Sequence, residues 1–268
     1  TFLCYYRLRQ HEYHLDMRDS IWVVILIWAL VICFAATPFM LHHATWSDAL
    51  FESTSGITTS GGEVFKHLDQ WPKSLQFYHQ WLEWLGGLGV IVFVESLGPF
   101  IGLGKVKLYQ NDLADSYGES KVVYRIHQVS RMLWSVYLTL TALCTLAYYC
   151  VGLSFFDALC ASFSTVSTGG FMIYDQGFQA LHNIKAEWVA IVFMFLGGIK
   201  FVLHYRLLIH RDLLSYFRNR EFCHWLMMLA VLFLVTIILY QVYWGWQVWA
   251  DHLRYILFMV ISMVILKK

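Results

Sequence analysis

Three features of the sequence predict an all-α integral membrane protein built from repeated units. Hydrophobic residues make up 59% of the chain and charged residues only 14%, whereas soluble domains carry about 25% charged residues. Apolar runs long enough to cross a bilayer core of about 30 Å alternate with short segments of small polar residues. Two of those segments, 48–62 and 157–171, resemble each other. We therefore expect repeated units of membrane helix, pore loop and membrane helix.

The apolar runs define the order of the elements. Membrane helices are predicted at 21–41, 80–103, 131–152, 187–209 and 224–249. Ser20 is predicted to cap the first helix, because a serine hydroxyl can accept a hydrogen bond from a free N–H group there. The predicted regions are the end of a preceding helix with a cytoplasmic segment (1–20), a first repeat (21–104), a cytoplasmic linker (105–126), a second repeat (127–210) and a partial third repeat (211–268).

The two similar segments match in register without a gap. The shared residues of the first copy are Asp48, Ala49, Leu50, Ser53, Ser55, Thr59 and Gly61, and those of the second are Asp157, Ala158, Leu159, Ser162, Ser164, Thr168 and Gly170. Their common order and spacing favour a duplicated unit over chance similarity. Each copy predicts a short pore helix, at 47–56 and 156–165. The aspartates are expected to act as N-caps rather than as cation ligands.

An extended stretch follows each predicted pore helix. The residues of these stretches are Thr58, Thr59, Ser60 and Gly61 in the first copy and Ser167, Thr168, Gly169 and Gly170 in the second. Glycine permits positive φ, so successive carbonyls can turn toward one axis, and rings of such carbonyls can replace the hydration shell of a monovalent cation. The sequence thus predicts a cation-selectivity filter. The alternative is helix packing through small residues, which is disfavoured because the segments lie between membrane helices.

The basic residues indicate the orientation of the chain. Twelve lie on one set of loops and ends: Arg7, Arg9, Arg18, Lys105, Lys107, Lys121, Arg125, Arg131, Arg206, Arg211, Arg218 and Arg220. Four lie on the opposite set: Lys66, Lys73, Lys185 and Arg254. Because basic residues are enriched in cytoplasmic loops, both pore loops are expected to open toward the outside.

Two charged residues are candidates for a role in the pore, since ionisable groups within a membrane are costly and often functional. Glu83 is expected near the filter mouth, either as a carboxylate exposed to water or as a group that attracts cations. Lys200 would repel a cation below the filter. We therefore expect it to turn toward another helix or to reflect relaxed selection, with a barrier role as a further alternative.

Two glycine pairs, Gly86-Gly87 and Gly197-Gly198, occupy corresponding places in the second helix of each repeat. Without Cβ atoms these helices can approach their own pore loops closely. Flexible hinging is the alternative.

Four segments together resemble the Trk/Ktr/HKT superfamily of potassium transporters, and most closely the bacterial Trk-type membrane subunit. They are FESTSGITTSGG (51–62), WLGGLGVIVF (84–93), SFSTVSTGGF (162–171) and FLGGIKFVLHYR (195–206). The resemblance implies potassium uptake by a multi-pass protein of the bacterial cytoplasmic (inner) membrane, surrounded by lipid. It also implies four membrane–pore–membrane repeats, a homodimer and a cytoplasmic nucleotide-binding ring as regulator. By the same resemblance, Gly61 and Gly170 are filter glycines, and Thr59, Ser60, Thr168 and Gly169 supply carbonyls.

The chain departs from the family pattern in its number of repeats. It contains two filter segments where the family has four, and its third repeat ends within the predicted pore helix at 251–263. We therefore expect a truncated subunit, with a non-conducting remnant as the alternative. Potassium or sodium selectivity, and a channel or a proton-coupled mechanism, are all compatible with these residues.

Other function classes find little support. The histidines form no HExxH motif, and the glycines form no phosphate-binding loop, so we expect neither an enzyme nor a cofactor. The net charge of +1 gives no reason to propose nucleic-acid binding. The six cysteines have no CxxC pairing and are interpreted as reduced apolar residues.

Overall fold

The computed structural model of the chain describes residues 17–97, 120–181, 183–211, 214–244 and 250–266. Within these ranges the regular structure is helical, which confirms the predicted class. The helices are α1 (Met17–Leu41), α2 (Trp46–Ile57), α3 (Lys73–Leu97), α4 (Ser120–Cys150), α5 (Phe155–Ser167), α6 (Ile184–Gly197), α7 (Phe201–His210), α8 (Leu214–Arg218), α9 (Arg220–Trp244) and α10 (Ala250–Leu266).

The two short helices α2 and α5 are the predicted pore helices, and their observed ends lie within two residues of the predicted ones. Their N-caps are hydroxyl residues, not the aspartates. Thr45 accepts a hydrogen bond from the N–H of Asp48, and Ser154 accepts one from the N–H of Asp157, each at 3.2 Å. The prediction of aspartate N-caps is therefore wrong by three residues. Both carboxylates lie in the first helical turn, where negative charge complements the helix dipole.

The first repeat consists of α1, α2 and α3. Ser20 lies inside α1, which begins at Met17, so the predicted cap at this serine is wrong. The polar residues before the apolar run continue the helix because they are compatible with helical backbone. α3 begins at Lys73, seven residues before the predicted span 80–103. The predicted end of that span lies outside the described residues.

The second repeat differs from the prediction in its last helix. A continuous span at 187–209 was expected, but α6 ends at Gly197, the chain bends by 96° and α7 begins at Phe201. Glycine is a poor helix former, so the pair Gly197-Gly198 allows this break. α4 is described from Ser120, so part of the segment predicted as the linker 105–126 is helical. The part of α4 that could cross a membrane, Ser130–Cys150, agrees with the predicted span 131–152.

Both glycine pairs allow close approach to a pore loop. A Cβ atom on Gly86 would overlap the backbone carbonyl of Ile57, and one on Gly87 would lie 2.9 Å from the Ser167 Cβ. A Cβ atom on Gly197 would lie 3.2 Å from the carbonyl oxygen of Val166. The close-approach interpretation is thus confirmed at these three glycines, while Gly198 caps the helix at the bend.

By length and composition, two helices in the described ranges could each cross a membrane alone, over Ser130–Cys150 and Arg220–Val242. The bent pair Ile184–Gly197 and Phe201–Leu208 could form a third span. α9 exposes many large apolar side chains along its length, as expected for a helix that faces lipid.

The predicted span 21–41 and the described part of the predicted span 80–103 also fall on helices, α1 and α3. The apolar part of α1 is shorter, at Ile25–Leu41, and α3 buries His79, Gln80 and Glu83. These polar residues point into the protein, where the pore loops lie.

Candidate functional site

The two extended stretches meet at their glycines, although 109 residues separate them in the chain. A Cβ atom on Gly61 would lie 2.5 Å from the carbonyl oxygen of Gly169 and 3.9 Å from the Gly170 Cα. The structure therefore brings the predicted site residues of both repeats to one place. Only a glycine at position 61 permits this approach.

The backbone conformation of the two stretches repeats in register. Thr59 and Thr168 have φ of 52° and 56°, and Gly61 and Gly170 have φ of 69° and 97°. Positive φ is uncommon for a residue with a Cβ atom, so its occurrence at both threonines is a specific shared feature. Each stretch thus turns twice, first at a threonine and then at a glycine.

The N–H groups of the stretches point back to the pore helices. Ser60 donates to the carbonyl of Ser55 at 3.0 Å, and the equivalent Gly169 donates to that of Ser164 at 3.2 Å. Among the residues that the structure describes, no N–H or O–H group donates to the carbonyls of Thr59, Gly61, Thr168 and Gly170. These oxygens are available to a cation.

Glu83 does not lie where the sequence suggested. Its side chain has 0% exposure, so the interpretation as a water-exposed carboxylate is wrong. The Oε1 atom accepts a hydrogen bond of 3.0 Å from the N–H of Phe171, the residue after Gly170. α3 turns this face inward because Gly86 and Gly87, one turn further on, pack against the pore loops.

A buried hydrogen-bonded pair, Glu52 and His79, lies behind the first stretch and was missed in the sequence. The Glu52 Oε1 is 2.6 Å from the His79 Nε2, and both side chains are buried. The Glu52 Oε2 accepts a hydrogen bond from the N–H of Val64 at 3.0 Å. His79 also stacks on Phe171, with ring centroids 4.0 Å apart. A glutamate in the middle of an otherwise small and apolar pore helix was the available signal.

A third carboxyl group, that of Glu63, lies just beyond the first stretch. It accepts a hydrogen bond of 3.4 Å from the N–H of Met172. Burial of this carboxyl group raises its pKa to about 7, and the nearby carboxylates of Glu52 and Asp175 act in the same direction. Near neutral pH this group therefore changes charge beside the stretches.

Lys200 lies at the bend between α6 and α7 and forms an ion pair with Glu221 in the first turn of α9. It is thus turned toward another helix, which was one of the alternatives from the sequence. The bend is also held by His204, whose Nε2 lies 2.8 Å from the Leu196 carbonyl oxygen, and by Tyr216, whose hydroxyl lies 3.0 Å from the His204 Nδ1.

The loops outside the stretches are tied together by Asp175. Its carboxylate accepts hydrogen bonds from the N–H groups of His67 and Leu68 at 2.8 and 2.9 Å. These two N–H donors lower the pKa of Asp175, and the His67 side chain acts in the same direction. His67, Asp69 and Asp175 bring their ligand atoms within 4.8 Å of one another, but the two backbone donors already occupy both oxygens of Asp175. This cluster connects the two repeats.

A cavity of about 330 Å³ adjoins the second stretch on the side away from the first repeat. Thr168 and Gly170 line it from the stretch, Glu187 from α6, and Tyr255 and Ser262 from α10. The cavity leaves that side of the second stretch open.

Paired pore helices, stretches that meet at glycines and apolar outer helices define a membrane protein of the pore-loop repeat class. Residues 2–264 match the TrkH family, which is described as a cation transport protein. The chain belongs to this family, whose members are transporters rather than enzymes.

Relatives and a solved structure agree with this assignment. The chain is 33% identical over 261 residues to the Trk system potassium uptake protein TrkH of Escherichia coli, covering 95% of this chain and 53% of that protein. It is 32% identical over 244 residues to the TrkH of Vibrio parahaemolyticus, covering 88% and 50%. The crystal structure of the potassium transporter TrkH from Vibrio parahaemolyticus matches 97% of this chain and 53% of its own, with a TM-score of 0.83 and 29% identity. The chain thus spans about half the length of these relatives.

Proposed function

We propose that this chain supplies two segments of the selectivity filter of a Trk-type potassium uptake protein. The segments are Thr58–Gly61 and Ser167–Gly170. The observation that carries the proposal is their meeting in one backbone conformation, with carbonyls at Thr59, Gly61, Thr168 and Gly170 that accept no hydrogen bond from the described residues. The choice of potassium follows from the relatives, which are named potassium uptake proteins.

Carbonyl oxygens can replace the water around a cation without large cost, because each carbonyl dipole is already oriented by the fold. Two segments surround an ion on only part of its circumference. The other ligands would come from further segments, either in a longer form of the chain, in a separate polypeptide or in a second copy. The proposal therefore assigns half of a filter to these residues.

The remaining features of the proposal come from the family resemblance. The protein would be a multi-pass subunit of the bacterial cytoplasmic membrane with its filter open to the outside. It would form a homodimer of pores and bind a nucleotide-binding ring on the cytoplasmic side, where the basic residues are enriched.

Expression in a bacterial strain without potassium uptake systems tests the proposal. One arm carries this chain alone. The other carries a chimaera in which residues 2–264 replace the matching half of Escherichia coli TrkH. We expect the chimaera to restore growth at low potassium and rubidium influx.

Rescue by the chain alone would show that copies of it complete the filter. A chimaera that reaches the membrane in normal amounts but carries no rubidium would contradict the proposal. That result would favour the alternative of a non-conducting remnant.

A further inference from the structure

The second filter segment is supported from behind by a residue of the first repeat. Glu83 lies in α3 and is fully buried, and its Oε1 accepts the hydrogen bond from the N–H of Phe171 at 3.0 Å. A Cβ atom on Gly169 would overlap the Glu83 carboxyl group. The carboxyl therefore fills the space directly behind the backbone of the segment.

The position of Glu83 is itself fixed by close packing. One turn along α3, Gly87 lies so near the pore loop that an added Cβ would be 2.9 Å from the Ser167 Cβ and 3.0 Å from the Tyr137 hydroxyl. Tyr137 of α4 donates a hydrogen bond of 2.8 Å to the carbonyl of Trp84, the next residue after Glu83. The backbone of α3 cannot retreat from the segment without breaking these contacts.

The hydrogen bond to Phe171 determines the direction of a filter carbonyl. The N–H of Phe171 and the C=O of Gly170 belong to one peptide unit, which is planar, and the described residues contain no cis peptide bond. In a trans unit the two groups point in opposite directions. When the N–H points toward Glu83, the Gly170 carbonyl points away from it, to the open side of the segment.

We propose that Glu83 is a positioning residue for ion selectivity, which holds the Gly170 carbonyl of the segment Ser167–Gly170 in the direction needed to bind a cation. The inference rests on the proposed function of that segment as a filter. The role of Glu83 is to accept a hydrogen bond and to fill space, so a neutral amide oxygen would serve as well as a carboxylate oxygen. A role through negative charge would instead require the carboxylate.

Substitutions of Glu83 separate these roles. They are made in the form that restores influx, the chain alone or the chimaera, and the ratio of rubidium to sodium influx is measured. We expect Glu83→Ala to reduce this ratio about tenfold, which corresponds to ~1.4 kcal/mol, because it leaves a buried N–H unpaired and a space behind Gly169. We expect Glu83→Gln to keep the ratio within about twofold of the original.

Gln80→Leu is the matched control. Gln80 is a buried polar residue of the same helix, and its side chain bonds to no filter backbone group in the described part of the chain. This variant reports the effect of changing the buried face of α3 alone, so we expect it to leave the ratio unchanged. If Glu83→Ala does not accumulate in the membrane, the Glu83→Gln variant still decides between hydrogen bonding and charge.

The outcomes separate this inference from the proposed function. A Glu83→Gln variant that loses discrimination while it still conducts would overturn the positioning role in favour of charge. An unchanged ratio in Glu83→Ala, together with a reduced ratio in Gly170→Ala, would overturn the inference and leave the filter intact. An unchanged ratio in all of these variants, or no influx from either form, would remove both the positioning role of Glu83 and the proposed filter.

Discussion

The two repeats build the same backbone conformation in their extended stretches but support it in different ways. In the first repeat, the pore helix is joined to α3 by the buried pair Glu52 and His79. In register, the second repeat has Ala161 in place of Glu52, and alignment of the glycine pairs places Ala190 at the position of His79; both alanines are buried. The second pore helix is instead joined to α4 by two hydroxyl pairs, Thr145 with Ser162 and Tyr148 with Thr165.

This difference shows that the repeats are not independent units. The N–H groups that follow the second segment, of Phe171 and Met172, are bound by Glu83 and Glu63 of the first repeat. The N–H of Val64, which follows the first segment, is bound by Glu52 of that same repeat. The first repeat thus supplies the carboxyl groups that position both segments.

The largest expected effect comes from breaking the Glu52–His79 pair. His79→Ala leaves the buried Glu52 carboxyl group without its hydrogen-bond partner, which costs about 3 kcal/mol. Glu52→Ala/His79→Ala copies the alanines of the second repeat and removes the unpaired carboxyl group. We therefore expect the double variant to be more stable than His79→Ala in thermal unfolding of the purified protein. A double variant that is less stable than His79→Ala would contradict the view that the pair in the first repeat takes the place of the two alanines in the second.

The next effect concerns the contact between the segments. Gly61→Ala should lower the rubidium-to-sodium influx ratio and destabilise the protein by at least about 1–2 kcal/mol, the cost of left-handed backbone for a residue with Cβ. Gly177→Ala is the matched control, because Gly177 also has positive φ, at 59°, but no atom lies within 4 Å of an added Cβ. Equal effects of both variants would show that backbone strain alone acts, without the contact to Gly169.

A smaller effect is expected from the hydroxyl pairs of the second repeat. Thr165→Val removes the partner of the Tyr148 hydroxyl, at 2.8 Å, within the buried contact between α4 and α5. We expect a loss of about 1 kcal/mol in stability, since a neutral hydrogen bond contributes that much on average. Thr139→Val, at an exposed position of α4, is the control. A loss as large as that of His79→Ala would contradict the distinction between the two kinds of support.

The smallest effect is a dependence of cation uptake on pH. The pKa of Glu63 is raised to about 7 by burial, so the group is neutral below that pH and becomes negative above it. Negative charge attracts cations, so the apparent affinity for rubidium should rise about threefold as the pH increases from 6 to 8. Glu63→Gln should abolish the rise, and a rise that persists in this variant would assign it to another group.

The sequence predicted those parts of the fold that depend on local patterns. The pore helices at Trp46–Ile57 and Phe155–Ser167 contain small polar residues that recur in a fixed register. The sequence therefore predicted the ends of both helices within two residues. The break at Gly198 was missed because hydropathy averages over a window and does not respond to one glycine pair.

Only the part of the candidate site that depends on local patterns could be predicted. The stretches Thr58–Gly61 and Ser167–Gly170 are visible as a repeat, whereas Glu83 binds a residue 88 positions away and Glu52 pairs across 27 positions. Such contacts depend on how α3 turns against the pore loops. That rotation is set by the packing of Gly86 and Gly87, which the sequence alone does not specify.

If both segments meet around one ion, the position of that ion can be determined. A crystal of the conducting form grown in rubidium would be measured for anomalous scattering. We expect a rubidium peak in contact with carbonyl oxygens of both segments, that of Thr59 or Gly61 in the first and that of Thr168 or Gly170 in the second. A peak bound by one segment alone, or located elsewhere in the protein, would contradict the meeting of both segments around one ion.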